Sequence, residues 1–118
     1  MESTNDLDLA VAASAFAALG SEQRLSVLTT LVRAGPEGLL IGQLGERCGV
    51  RGSTLTHHLK ILAQAGLITQ TKLGRSTVCA AAAYDEVHQL SQFLITNCCA
   101  DAEAPCGEHD HDRPLRRA

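Results

Sequence analysis

Glycines at positions 20, 35, 49, 66 and 74 cut this chain into segments that suit short helices and one tight hairpin, and little else. Leu9, Ala12, Phe16 and Leu19 recur at helical spacing before Gly20. Ser21 is a suitable N-cap for a second helix over 24–33, with Leu25, Leu28, Leu31 and Val32 expected on its buried side. Gly35-Pro36-Glu37-Gly38 reads as a loop, after which a short helix over about 41–48 stops at Gly49. Ser53 is placed to cap a further helix that continues to Ala65. Residues 67–72 and 76–81 read as strands turning at Gly74-Arg75. Val87, Leu90, Leu94 and Cys98 then mark a last helix over 85–100. The expected fold is mainly α with a β-hairpin, in the order ααααββα. Its single domain covers 1–100, and 101–118 form a flexible polar tail that contributes Cys106.

A chain of 118 residues with one Tyr, two Phe and no Trp must build its core from Leu, Val, Ile and Ala. Such a core is thin, and sharing it across a homodimer would reinforce it. The N-terminus is acidic where a secretory signal needs positive charge, and Asp8 and Ser14 interrupt the best apolar stretch. A cytoplasmic protein without a membrane partner is expected. In that compartment five cysteines are thiols, metal ligands or redox sensors rather than structural disulfides.

Charge is distributed unevenly. No acidic side chain lies between Glu46 and Asp85, whereas Arg47, Arg51, Lys60, Lys72 and Arg75 do. A protein of net charge −3 therefore holds a +5 segment between two flanks of −4. Local clustering of this kind is the electrostatic footprint of a phosphate-binding surface. Within it, a short helix, a glycine-containing turn and a second helix form a helix-turn-helix pattern. Leu55, Leu59 and Leu62 share the inward face of the second helix, which turns Ser53, His57, Lys60 and Gln64 outward. Thr54 and Thr56 flank that face, and His58 sits nearer its buried edge. Such side chains read base edges and phosphates of double-stranded DNA in the major groove. Lys72 and Arg75 on the hairpin would lie along the adjacent backbone or minor groove.

These residues resemble the arsenical-resistance repressor (ArsR/SmtB) family of dimeric winged helix regulators. The likeness rests on Ala18-Leu-Gly-Ser-Glu-Gln-Arg24-Leu, Ser53-Thr-Leu-Thr-His-His58-Leu-Lys60-Ile-Leu, Ala65-Gly-Leu-Ile and Gly74-Arg75, and covers roughly 12–97. It implies that the helix over 53–65 is a recognition helix, the hairpin a wing, and the first and last helices the dimer contact. It also implies a repressor that leaves its operator when an inducer binds. Two effector patterns of the family are absent. Leu39-Leu-Ile-Gly-Gln-Leu44 stands where many arsenic sensors carry a Cys-Val-Cys box. Asp85 and His88 lack the offset and the later His partner of zinc sensors.

Cys98, Cys99 and Cys106 supply another site. Three soft thiolates suit a trigonal ion such as As(III) or Sb(III), acting as inducer with no organic cofactor. Neighbouring residues on a regular helix point about 100° apart, so Cys98 and Cys99 chelate one ion only if the helix frays there. Some arsenic sensors of the family carry a Cys-Cys pair plus a third Cys at this place. With His109 or His111 added, the thiols would instead make a zinc or cadmium site. A vicinal pair could also sense oxidants or persulfide. Cys48 reads as the inward end of the short helix, and Cys79 as a strand residue of the wing with nothing nearby that makes it a ligand. An enzyme is the competing class, and its best case is a small thiol reductase using Cys106 with Arg113. No phosphate-cradling loop or strand-to-helix turn is present to hold that pair, so no catalytic activity is expected.

Overall fold

The computed structural model describes residues 8–103. Along them run α1 (Leu9–Ala18), α2 (Glu22–Ala34), β1 (Leu39–Leu40), α3 (Ile41–Cys48), α4 (Gly52–Gln64), β2 (Ile68–Leu73), β3 (Ser76–Ala81) and α5 (Tyr84–Phe93). The α3–turn–α4 unit is a helix-turn-helix, and the β2–β3 hairpin beside it is the wing. The fold is the expected winged helix, with one strand that the sequence pattern does not announce.

Helix α2 begins where Ser21 predicts. The Arg24 N–H donates to Ser21 Oγ at 3.3 Å. Arg24 Nε donates to the Ala18 carbonyl at 2.6 Å, which places a cation against the C-terminal end of α1 and fixes the angle between the two helices. The buried side of α2 is turned from the expected one. Val27, Leu28 and Leu31 are buried, whereas Leu25 and Val32 are 46% and 51% exposed. Val27 and Leu31 stand one turn apart and take the centre of the stripe, which leaves Leu25 and Val32 on its flank.

Helix α3 starts with half of a capping box, in which Gln43 Oε1 accepts from the Leu40 N–H at 3.0 Å and leucine has no oxygen to return. It closes on Gly49, whose φ of 76° is the left-handed cap that glycine adopts without cost. The Ser53 cap is not realised. Arg51 holds the N-cap position of α4, and Ser53 lies inside the first turn. Leu31, Leu44, Leu59, Leu62, Val27 and Cys79 form the driest part of the core, which is aliphatic as the composition requires.

The three-stranded antiparallel sheet has the order β1-β3-β2. The hairpin register runs from Ile68 opposite Ala81 to Leu73 opposite Ser76, with Gly74-Arg75 as its two-residue turn. Strand β1 pairs Leu39 with Cys79 and Leu40 with Val78. Gly38 makes that pairing possible: its φ is +74°, and a Cβ there would run into the Cys79 carbonyl. Helix α5 is shorter than expected. It ends at Phe93, and the chain continues to Asp101 in turns closed by i→i+3 bonds such as Cys98 N–H to Ile95 O and Ala102 N–H to Cys99 O.

Candidate nucleic-acid interface and thiol pair

Leu55, Leu59 and Leu62 anchor α4 with exposures of 2% or less. That anchoring turns Ser53, Thr54, Thr56, His57, Lys60 and Gln64 outward, all of them exposed. The Thr56 hydroxyl is committed to the Gly52 carbonyl at 3.3 Å, which leaves its methyl group on the face. Among the described residues no side chain caps the first turn of α4. Its leading N–H groups are therefore open to an external acceptor, the role a phosphate oxygen fills at a helix N-terminus. Lys72 projects from β2 opposite Thr77, and Arg75 stands at the tip of the wing. Arg51, exposed beside Ser53 and Thr54, belongs with this set. Sequence reasoning counted it only as charge, although its place two residues before Ser53 was the available signal.

The structure places His58 on the packed side of α4, off the exposed polar face. It is 8% exposed, and its Nε2 lies 2.9 Å from Gln23 Oε1 on α2. Burial first, then the charges of Arg24 and His57, lower its pKa below the usual histidine value. Residue 58 follows the inward residue Leu55 by three positions, so it falls on the packed side.

The thiol pair lies just beyond α5. Cys99 has φ +63°, a left-handed conformation rarely taken by a side-chain-bearing residue. This breaks the helical spacing and brings Cys98 Sγ to 3.6 Å from Cys99 Sγ. Thiolates held on one ion by bonds of about 2.3 Å lie roughly 3.3–3.8 Å apart for bond angles of about 90–110°. The pair thus has the bite of a chelate. Cys106, His109 and His111 fall outside the described residues. Among the described residues no three His, Cys, Asp or Glu side chains gather in a metal-sized cluster. Cys79 is fully buried in the core, and burial pushes its thiol pKa up against a smaller opposing hydrogen bond with Gln70. It remains a thiol and a poor ligand.

Residues 19–71, from the end of α1 through most of β2, match a family described as a helix-turn-helix domain. The uncharacterized HTH-type transcriptional regulator YceK of Bacillus subtilis is 38% identical over 66 residues, 56% of this chain and 65% of its own length. NmtR, an HTH-type transcriptional regulator of Mycobacterium tuberculosis, is 39% identical over 66 residues, 56% of this chain and 52% of its own length. The match thus spans about half to two thirds of these curated relatives. An ArsR-like transcriptional regulator from Rhodococcus sp. RHA1 is 31% identical and superposes with a TM-score of 0.59, covering 80% of this chain and 82% of that one. The chain belongs to the ArsR-like family of transcriptional regulators. The curated relatives it matches are described as HTH-type transcriptional regulators. No helix among its described residues is long and apolar enough to cross a membrane.

Proposed function

We propose that this chain is a homodimeric transcriptional repressor that reads double-stranded operator DNA through α4 and the wing. It releases that DNA when As(III) or Sb(III) binds Cys98, Cys99 and Cys106. The observation that carries the DNA reading is the exposed polar face of α4, from Ser53 to Gln64, flanked by Lys72 and Arg75 in a segment without acidic residues. The 3.6 Å thiol separation supports chelation of a soft ion, and Cys106 is the proposed third ligand. Dimerisation is supported by apolar residues left outside the core at the two ends of the chain: Leu9, Val11 and Phe16 on α1, and Leu94 and Ile95 after α5.

Coupling between sites follows the packing. Helix α1 touches both α5 and α4. An ion that re-forms the turns after Phe93 would shift α5 against α1, and through α1 the seat of α4. A hundredfold loss of DNA affinity needs about 2.7 kcal/mol of coupling. The test is a gel shift with DNA from upstream of its own gene, titrated with arsenite, antimonite, zinc, cadmium and a persulfide donor. Release by arsenite and antimonite at the lowest concentrations is expected. Release by zinc and cadmium alone, or by persulfide alone, would replace the inducer while leaving the repressor reading intact.

A further inference from the structure

One polar side chain in the packed interior plays no part in the DNA face or the thiol pair. His58 sits on α4 between the core and α2, more than nine-tenths buried. Gln23 Oε1 is an acceptor, so His58 Nε2, 2.9 Å away, carries the ring proton and donates it. Nδ1 is then a bare lone pair, and it is buried with no hydrogen-bond partner among the described residues. We propose that His58 is the positioning residue of the recognition helix: its bond to Gln23 seats α4 on α2, and a proton taken up at Nδ1 unseats α4 and releases DNA. This rests on the reading that α4 contacts DNA.

The surroundings oppose that proton. A charged ring would bury an Nδ1–H with no acceptor, a desolvated polar group that is costly to leave unpaired. From α2 the neighbouring charge is the Arg24 guanidinium, and from α4 itself it is His57. Both are like charges to an imidazolium. The residues of α1 include no titratable side chain, β2 carries only the cationic Lys72, and Glu22 of α2 is not among the groups that act on the His58 ring. The charged ring is relieved only by turning outward to water, and it cannot do so while α4 keeps its seat.

The experiment is operator binding by fluorescence anisotropy at constant ionic strength, from about pH 7.5 to about pH 5.5. Wild type should lose a few-fold in affinity over that range, with about tenfold as the ceiling for one proton taken up below the ordinary histidine value. His58→Gln offers an amide donor in place of Nε2–H and has no proton to take up. It should bind within about threefold of wild type at neutral pH and show no acid loss. Gln23→Ala should weaken binding at neutral pH with the fold intact by circular dichroism. A second readout is the His58 Cε1–H resonance, whose titration midpoint should fall by up to about one pH unit when DNA binds, by reciprocity with a coupling of at most about tenfold. Acid loss retained in His58→Gln, or a midpoint unmoved by DNA, would overturn the proposal. Failure of wild type to bind at neutral pH sinks the regulator reading itself, whereas binding with a flat pH profile sinks this inference alone.

Discussion

His57 and Lys60 share a face of α4 but are assigned different tasks by their chemistry. An imidazole offers a directional donor or acceptor to a base edge, whereas an ammonium acts on phosphate as a point charge. His57→Ala should therefore relax preference at one operator position by about 1–3 kcal/mol, read by competition with single-base variants. Arg75→Ala on the wing should weaken all sequences alike and reduce the logarithmic salt slope by about one. At the other end of the chain, Cys98→Ser and Cys99→Ser should each abolish or blunt arsenite release while leaving DNA affinity unchanged. Cys48→Ser should respond as wild type. Wild-type release in both of the first two variants would remove the thiol sensor from consideration. Cys79 is a poor control, since serine there would put a hydroxyl into the core where the thiol is fully buried.

At the scale of elements, the α2–α4 seat also gives stability a pH dependence with a definite sign. His58 has a lowered pKa in the folded protein, so below the ordinary value of about 6.5 the unfolded chain binds a proton that the folded one refuses. Its contribution to stability is complete above that value and is lost as pH falls from it toward the folded pKa. Thermal unfolding at pH 7.5 and 5.5 should show a drop that His58→Gln reduces. Gly38→Ala should destabilise by about 1–3 kcal/mol in urea titrations, because the new Cβ meets the β3 backbone at a positive φ. The helices, the hairpin and the outward residues of α4 were legible because leucines at i, i+4 and i+7 fix the face of a helix, and glycines fix its ends. Strand β1 was not legible, since two consecutive leucines carry no alternation and their pairing depends on distant β3. The end of α5 was misread because the Val87, Leu90, Leu94, Cys98 stripe persists past Phe93, where the left-handed Cys99 and the i→i+3 turns take over. That same break was needed for the thiols to meet. Spacing from Leu55 put His58 near the buried edge of α4, but its partner Gln23, 35 positions away, was not legible.

At the scale of the whole molecule, the proposed reader of DNA is two chains and not one. Leu9 is 71% exposed on α1 and Leu94 is 69% exposed after α5, an apolar surplus that lies within the two acidic flanks of the chain. Burying these residues against a second copy would let two α4 helices face one duplex. Two such helices call for an operator that is an inverted repeat with half-sites about 34 Å apart or slightly more. Each half-site contact is weak alone, and joining two in one body raises avidity by about 10²–10⁴. Leu94→Glu tests this without disturbing the core, because the side chain already lies in water within one protomer. The expected result is a folded monomer by sedimentation velocity at micromolar concentration. Its operator affinity should fall by about a hundredfold or more, and its melting temperature should no longer rise with protein concentration as it should in wild type. A Leu94→Glu chain that stays dimeric and holds its operator would place the dimer contact elsewhere. A wild-type monomer that binds the operator tightly would end the dimer proposal.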